Sequence, residues 1–169
     1  MESRIYSAHN RSGGSPDPTI ITGFSSFLKS NIMNPILKNV LAVVAGVLVG
    51  GLVNMGLIML GPSIFPLPEG VNPMDPESLK AGIPLFETRH FVFPFLAHAL
   101  GTLAGAFVAA LIAANRKMTF ALVIGVFFLA GGIMNVVDLP APLGFEVLDL
   151  VVAYIPMAWL GGKLGMRGK

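Results

Sequence analysis

Apolar residues fall in four blocks, at about 36–60, 91–114, 118–137 and 145–162. Each holds close to the ~20 residues that carry a helix across ~30 Å of hydrocarbon. None shows the ten-residue alternation of a membrane strand, and an open sheet would leave its edge unpaired in lipid. The pattern predicts an all-α fold: a polytopic four-helix membrane bundle, occupying residues 33–169. Residues 1–32 lack any helical or strand period and are rich in Ser, Gly and Asn, with Pro16 and Pro18. They read as a disordered polar tail. Met33 lies just before the first apolar block, so it is a second candidate start, which would make the tail an extension.

The connections differ in character. The first, 61–90, is long and carries Pro62, Pro66, Pro68, Pro73, Pro76 and Pro84. Within it, Asp75-Pro76-Glu77 has the form of an N-cap followed by proline at the first helical position, and Gly82 and Pro84 are placed to end that short helix. The second connection is tight and centred on Asn115-Arg116-Lys117. The third, Asp138-Leu139-Pro140-Ala141-Pro142, is a stiff turn.

Composition agrees with this picture. The chain is 54% hydrophobic and 12% charged, against about 25% charged in a soluble domain, so it has too little polar surface to cover a soluble core. A net charge of +2 with no basic stripe argues against nucleic acid as a partner. Cysteine is absent, which excludes disulfides and thiolate chemistry. The N-terminal residues are polar and hold no apolar core of a cleavable signal, so the first helix is expected to serve as the insertion signal.

Charge placement predicts the orientation. Arg4, Arg11, Lys29 and Lys38 precede or open the first helix, Arg116 and Lys117 sit in the second connection, and Lys163, Arg167 and Lys169 end the chain. The other side carries Glu69, Asp75, Glu77, Glu87, Asp138, Glu146 and Asp149. Both termini are therefore expected in the cytoplasm, with the long loop outside.

Small residues recur every four positions: Ala42, Gly46 and Gly50 in the first block, Ala97, Gly101, Gly105, Ala109 and Ala113 in the second, and Gly161 and Gly165 in the fourth. Such stripes let helix backbones approach closely in lipid. None of these glycines sits in a strand-to-helix loop, so a phosphate-binding reading fails. Pro156 is expected to bend the fourth helix, and Trp159 to anchor its cytoplasmic end.

Polar side chains within membrane segments are functional candidates. They are Asn54, His98, Thr102 one turn below His98, and Asn135, with Asp138, Glu146 and Asp149 beyond them. In the expected topology all lie in the outer half of the bilayer. They predict a polar pocket in which Asn54, His98 and Asn135 face one another, with Glu146 and Asp149 at its mouth. The structural alternative is that each only bonds a neighbouring helix, or that the two carboxylates favour the dipole at the start of the fourth helix. His90 and His98 share one helix two turns apart and cannot both ligate one haem. A metal site drawn from His90, Glu87 and Asp149 lacks tight ligand spacing. No serine-hydrolase motif and no arginine series of a voltage sensor is present, and no cofactor or metal is expected.

Three stretches carry a resemblance: Leu96-Ala97-His98-Ala99-Leu100-Gly101-Thr102-Leu103-Ala104-Gly105, then Gly131-Gly132-Ile133-Met134-Asn135 with Leu139-Pro140-Ala141-Pro142, then Asp149 through Ala158 with Leu160-Gly161. With Pro-Glu-Gly and Asp-Pro-Glu of the first loop, they resemble a group of small bacterial four-helix membrane proteins over residues 33–165. The group has an aromatic residue where this chain has Gly144. The resemblance implies a bacterial inner-membrane protein and brings no activity with it. The leading expectation is a non-enzymatic accessory or structural component, packing in the bilayer against itself or a larger membrane complex. The rival is a small transporter, channel or ligand- or ion-binding protein that uses the polar cluster. The direction in which His98 faces separates the two.

Overall fold

The computed structural model describes residues 34–139 and 141–167. The tail expected at 1–32 and the turn residue Pro140 lie outside them. The described chain is all-helical. It comprises α1 (Pro35–Ile64), α2 (Pro76–Gly82), α3 (Val92–Ile112), α4 (Lys117–Asp138), α5 (Leu143–Val152) and α6 (Ile155–Met166), with single 3-10 turns at Ile83–Leu85 and Thr88–Phe91. Four stretches are long and apolar enough to cross a membrane: Pro35–Ile64, Thr88–Ile112, Lys117–Asp138 and Leu143–Met166. Their outward faces expose Leu52, Met59, Phe127, Met134, Val137 and Val151. In water this would be an apolar patch far larger than a monomer carries, whereas a bilayer accepts it.

Two boundaries differ from those expected. The first helix runs to Ile64 and takes in Pro62. That proline sits in the last turn, where it removes one helical hydrogen bond. The fourth segment is two helices. It breaks at Ala153-Tyr154, and Pro156 lies in the first turn of α6. Pro156 has no N–H for the Val152 carbonyl, and its ring would press on that oxygen. The chain opens just upstream of the proline and restarts with Pro156 in the first turn, where no N–H is required.

The bundle is organised around α3, which packs against α1 on one side and against α4 and α6 on the other, while α1 scarcely touches α4. Small residues make this possible. A Cβ added at Gly46 would come 2.8 Å from the Gly105 carbonyl oxygen, and one at Gly50 would come 2.7 Å from that of Gly101. On the other flank of α3, Gly161 lies against the Leu103 carbonyl and Gly165 against that of Phe107. The intervening core is alanine-rich, with Ala106, Ala109, Ala110, Ala121 and Ala158 around Ile124. Contact therefore comes from close backbones more than from large side chains, the mode expected where apolar burial gives no drive between helices in lipid.

Each end of the bundle is tied by polar contacts. At the end bearing the α3–α4 turn, Asn39 of α1 accepts from the Ala114 backbone N–H at 2.9 Å and donates to Asn115 Oδ1 at 3.0 Å. The turn itself is closed by Arg116 in the left-handed region, φ 42°. At the opposite end α2 forms as the Asp75-Pro76 pattern predicts, with Asp75 Oδ1 accepting from the Glu77 N–H at 3.2 Å. The long loop is then seated by aromatic packing of Phe86 on Phe91 and of Phe91 on Phe145. His90 pins it further. Its Nδ1 accepts from the Glu87 N–H at 2.8 Å, which leaves Nε2 to donate to the Pro66 carbonyl at 3.1 Å.

Candidate functional site: a polar cavity beside a buried histidine–aspartate pair

The site lies one to two turns inside the long-loop end and is built on α3. His98 is in the second turn of α3, and Thr102 lies four residues on, one turn deeper on the same face. Opposite, α5 presents Asp149, which is 3% exposed. His98 Nδ1 sits 2.9 Å from Asp149 Oδ2 and 3.0 Å from Oδ1. The Tyr154 hydroxyl donates to Oδ2 at 2.8 Å, and its ring packs on the imidazole with centroids 5.7 Å apart. An ionised carboxylate only accepts, and here it receives two donors. Asp149 thereby holds a proton on Nδ1, and in the neutral form of the ring Nε2 presents a lone pair. No described residue bonds Nε2.

The sequence places Asp149 at the mouth of a pocket beside Glu146. The structure instead puts it inside, as the partner of His98. At the helix break Tyr154 closes over the carboxylate, and Asp149 on α5 meets His98 on α3. Glu146, one turn back, turns to the chain before it and accepts from the Ala141 N–H at 3.0 Å. Tyr154 carries no polar signal stronger than any membrane tyrosine, and sequence reasoning passed over it. The one clue was its place two residues before Pro156. Gly132 of α4 makes room for it, since a Cβ there would collide with the Tyr154 hydroxyl.

Two cavities flank His98. One, of about 150 Å³, lies under the long loop, where Leu79, Ile83, Phe86 and Phe91 roof it and Glu146 and Asp149 form part of its wall. The other, of about 340 Å³, lies between α1 and α4 with α3 as its floor. Asn54, His98, Thr102, Asn135 and Tyr154 all line this second space. Asn54 and Asn135 make no side-chain hydrogen bond among the described residues. Thr102 is 1% exposed, and its hydroxyl has no protein partner. Buried polar groups are nearly always bonded, so Thr102 stands out, whereas Asn54 is half-buried and Asn135 exposed. Asn135 borders both cavities and a third hollow at the loop surface that Asp138, Glu77 and Lys80 also line. Asp138 lies on that exposed rim, away from His98.

No group of three His, Asp or Glu side chains among the described residues is placed to hold a metal. His90, considered above as a ligand, spends both ring nitrogens on the loop. The arrangement around His98 resembles the orienting half of a catalytic triad, in which a carboxylate sets the imidazole tautomer. It can accept a proton or a hydrogen bond from whatever occupies the cavity. Comparison of the chain with family models, with curated proteins and with solved structures found no match.

Proposed function

We propose that this chain is a membrane-embedded binding protein for a small hydrogen-bonding molecule, held in the cavity between α1 and α4 with His98 as its proton acceptor. The observation that carries this reading is the Thr102 hydroxyl, buried without a partner one turn below a histidine whose tautomer a buried aspartate sets. A polar group left unsatisfied at such depth costs about 1–3 kcal/mol, and a ligand would satisfy it. The competing accessory role needs small-residue stripes free for a partner. Gly46, Gly50, Gly101, Gly105, Gly161 and Gly165 are instead buried within the bundle. The distribution of Lys and Arg supports an orientation with both termini cytoplasmic and the long loop outside, and the bacterial inner membrane as its location rests on the resemblance alone.

The test separates binding from structural glue. His98→Leu leaves Asp149 with Tyr154 alone and should destabilise the bundle by about 3 kcal/mol. His98→Asn keeps a donor near the Nδ1 position while losing Nε2, and should cost about 1 kcal/mol or less. With ¹⁵N-histidine-labelled protein in lipid nanodiscs, phenol should shift the His98 Nε2 resonance saturably, and Thr102→Val combined with Asn135→Leu should abolish that shift. A linear, unsaturable response in the wild-type protein would exclude the site.

A further inference from the structure

Resting on that binding reading, we infer that the ligand reaches His98 sideways from the bilayer and is an uncharged amphiphile, a hydroxyl-bearing ring head on an apolar tail. The direction of access follows from the packing. Because α1 packs on α3 and scarcely on α4, the two leave a groove whose floor is α3. Its rims are Gly51 and Met55 on α1 and Gly131 on α4. A Cβ added at Gly51 or at Gly131 would meet nothing within 4 Å. These two glycines therefore serve no close helix contact, unlike Gly50 and Gly132 beside them, and their effect is to keep the rim low. Beyond the rim lie exposed Leu52, Phe127 and Met134, surfaces that face lipid in a spanning protein. A tail leaving the groove would run along them.

The chemistry of the head follows from the lining. Apart from His98, the groove residues carry no ionisable side chain but Tyr154, whose hydroxyl is committed to Asp149. Asp149 itself already has two donors. An incoming anion would find no cationic partner, and an incoming cation could not touch Asp149, which stands outside the groove lining behind His98 and Tyr154; burying an unpaired charge is far costlier than burying a bonded neutral group. A neutral head fits better. A hydroxyl on it donates to His98 Nε2, and its oxygen accepts from Thr102 or from the Asn54 and Asn135 amides. The volume of about 340 Å³ lies at the small end of ligand pockets and suits a single ring with its tail outside.

The experiment uses the full chain, ¹⁵N-histidine-labelled in nanodiscs, with 4-octylphenol as the tailed probe and phenol as the tail-less one. The 4-octylphenol should shift His98 Nε2 saturably. Its half-saturation point should rise about tenfold in Gly131→Leu and in Gly51→Leu, which raise the rim without touching the polar groups. Phenol, which has no tail to lay across the rim, should change by less than about threefold. Dodecyltrimethylammonium should not displace the octylphenol. The inference is overturned if phenol saturates the site and octylphenol does not, if neither leucine variant alters octylphenol binding, or if the cation competes. Silence from both probes in the wild-type protein would overturn the binding reading along with it.

Discussion

Tyr154 and Asp149 show how much one side chain can fix here. Tyr154→Phe keeps the ring against His98 but removes one of the two donors to a buried carboxylate. The expected loss is about 1–3 kcal/mol, measurable as a lower thermal midpoint in detergent. Gly132→Ala should push the same hydroxyl away and cost at least as much, whereas Gly144→Ala, with open space at its Cβ position, should be neutral. Asn54, His98, Thr102 and Asn135 were legible from the sequence because polar residues are rare inside apolar blocks and stand out by depth alone. The bond from His98 to Asp149 was not legible. The fourth segment reads as one continuous helix bent at Pro156, whereas it is two helices that break at Ala153-Tyr154. Tyrosine is ordinary near a membrane interface, so its role as a donor had no sequence signature. Asn39 was missed for a related reason, since a lone asparagine at a helix start gives no hint of a partner 75 positions away.

The helices themselves were easier to read, because four apolar blocks of spanning length leave few alternatives. Packing partners were harder. The stripes give the contact faces but not which face meets which helix, and α3 uses two of them at once. Gly105→Leu should be severely destabilising, because its Cβ would lie 2.6 Å from the Gly46 carbonyl oxygen and backbone cannot move aside as a side chain can. Gly51→Leu, on the open rim of α1, should leave the thermal midpoint of the apo protein within a degree or two of wild type, roughly the scatter of a surface change. If the two variants behave alike in detergent, the assignment of α1 to α3 through Gly46 is wrong. Asn39→Ala removes two hydrogen bonds at one end of the same helix pair, and about 1 kcal/mol for each is the expected loss. Since both bonds are solvent-exposed, the loss should fall at or below that value.

At the scale of the whole molecule the outstanding question is which end faces which compartment. The helix order fixes only that the long loop and the α4–α5 turn share one end. The proposed direction rests on the charge rule, and single cysteines test it. Residue 116 should be shielded from an impermeant maleimide in intact cells, and residue 77 should be labelled. The reverse result would turn the cavity around His98 toward the cytoplasm while leaving its geometry intact. The overall bundle class was legible from hydropathy; the groove between α1 and α4 was not, because it arises from a contact that is missing, and no residue type marks a missing contact.

The pairing of His98 with Asp149 also bears on how the chain is threaded into the membrane during synthesis. The fourth crossing is the least hydrophobic of the four, with a mean hydropathy of 1.6 against 2.0–2.4 for the others. It also carries Asp149, a residue type that costs about 2.5–3.5 kcal/mol at the centre of a lone inserting helix and less toward its ends, where Asp149 lies. Because chains emerge from the ribosome N-terminus first, α3 is already in place, with its imidazole waiting, when residues 143–166 leave the exit channel. His98 is therefore expected to help retain a segment that partitions poorly by itself. In a translocation assay with a glycosylation tag after residue 167, His98→Leu should let the fourth segment slip through uninserted far more often. Asp149→Leu, which removes the charge that His98 meets, should restore insertion in the His98→Leu background.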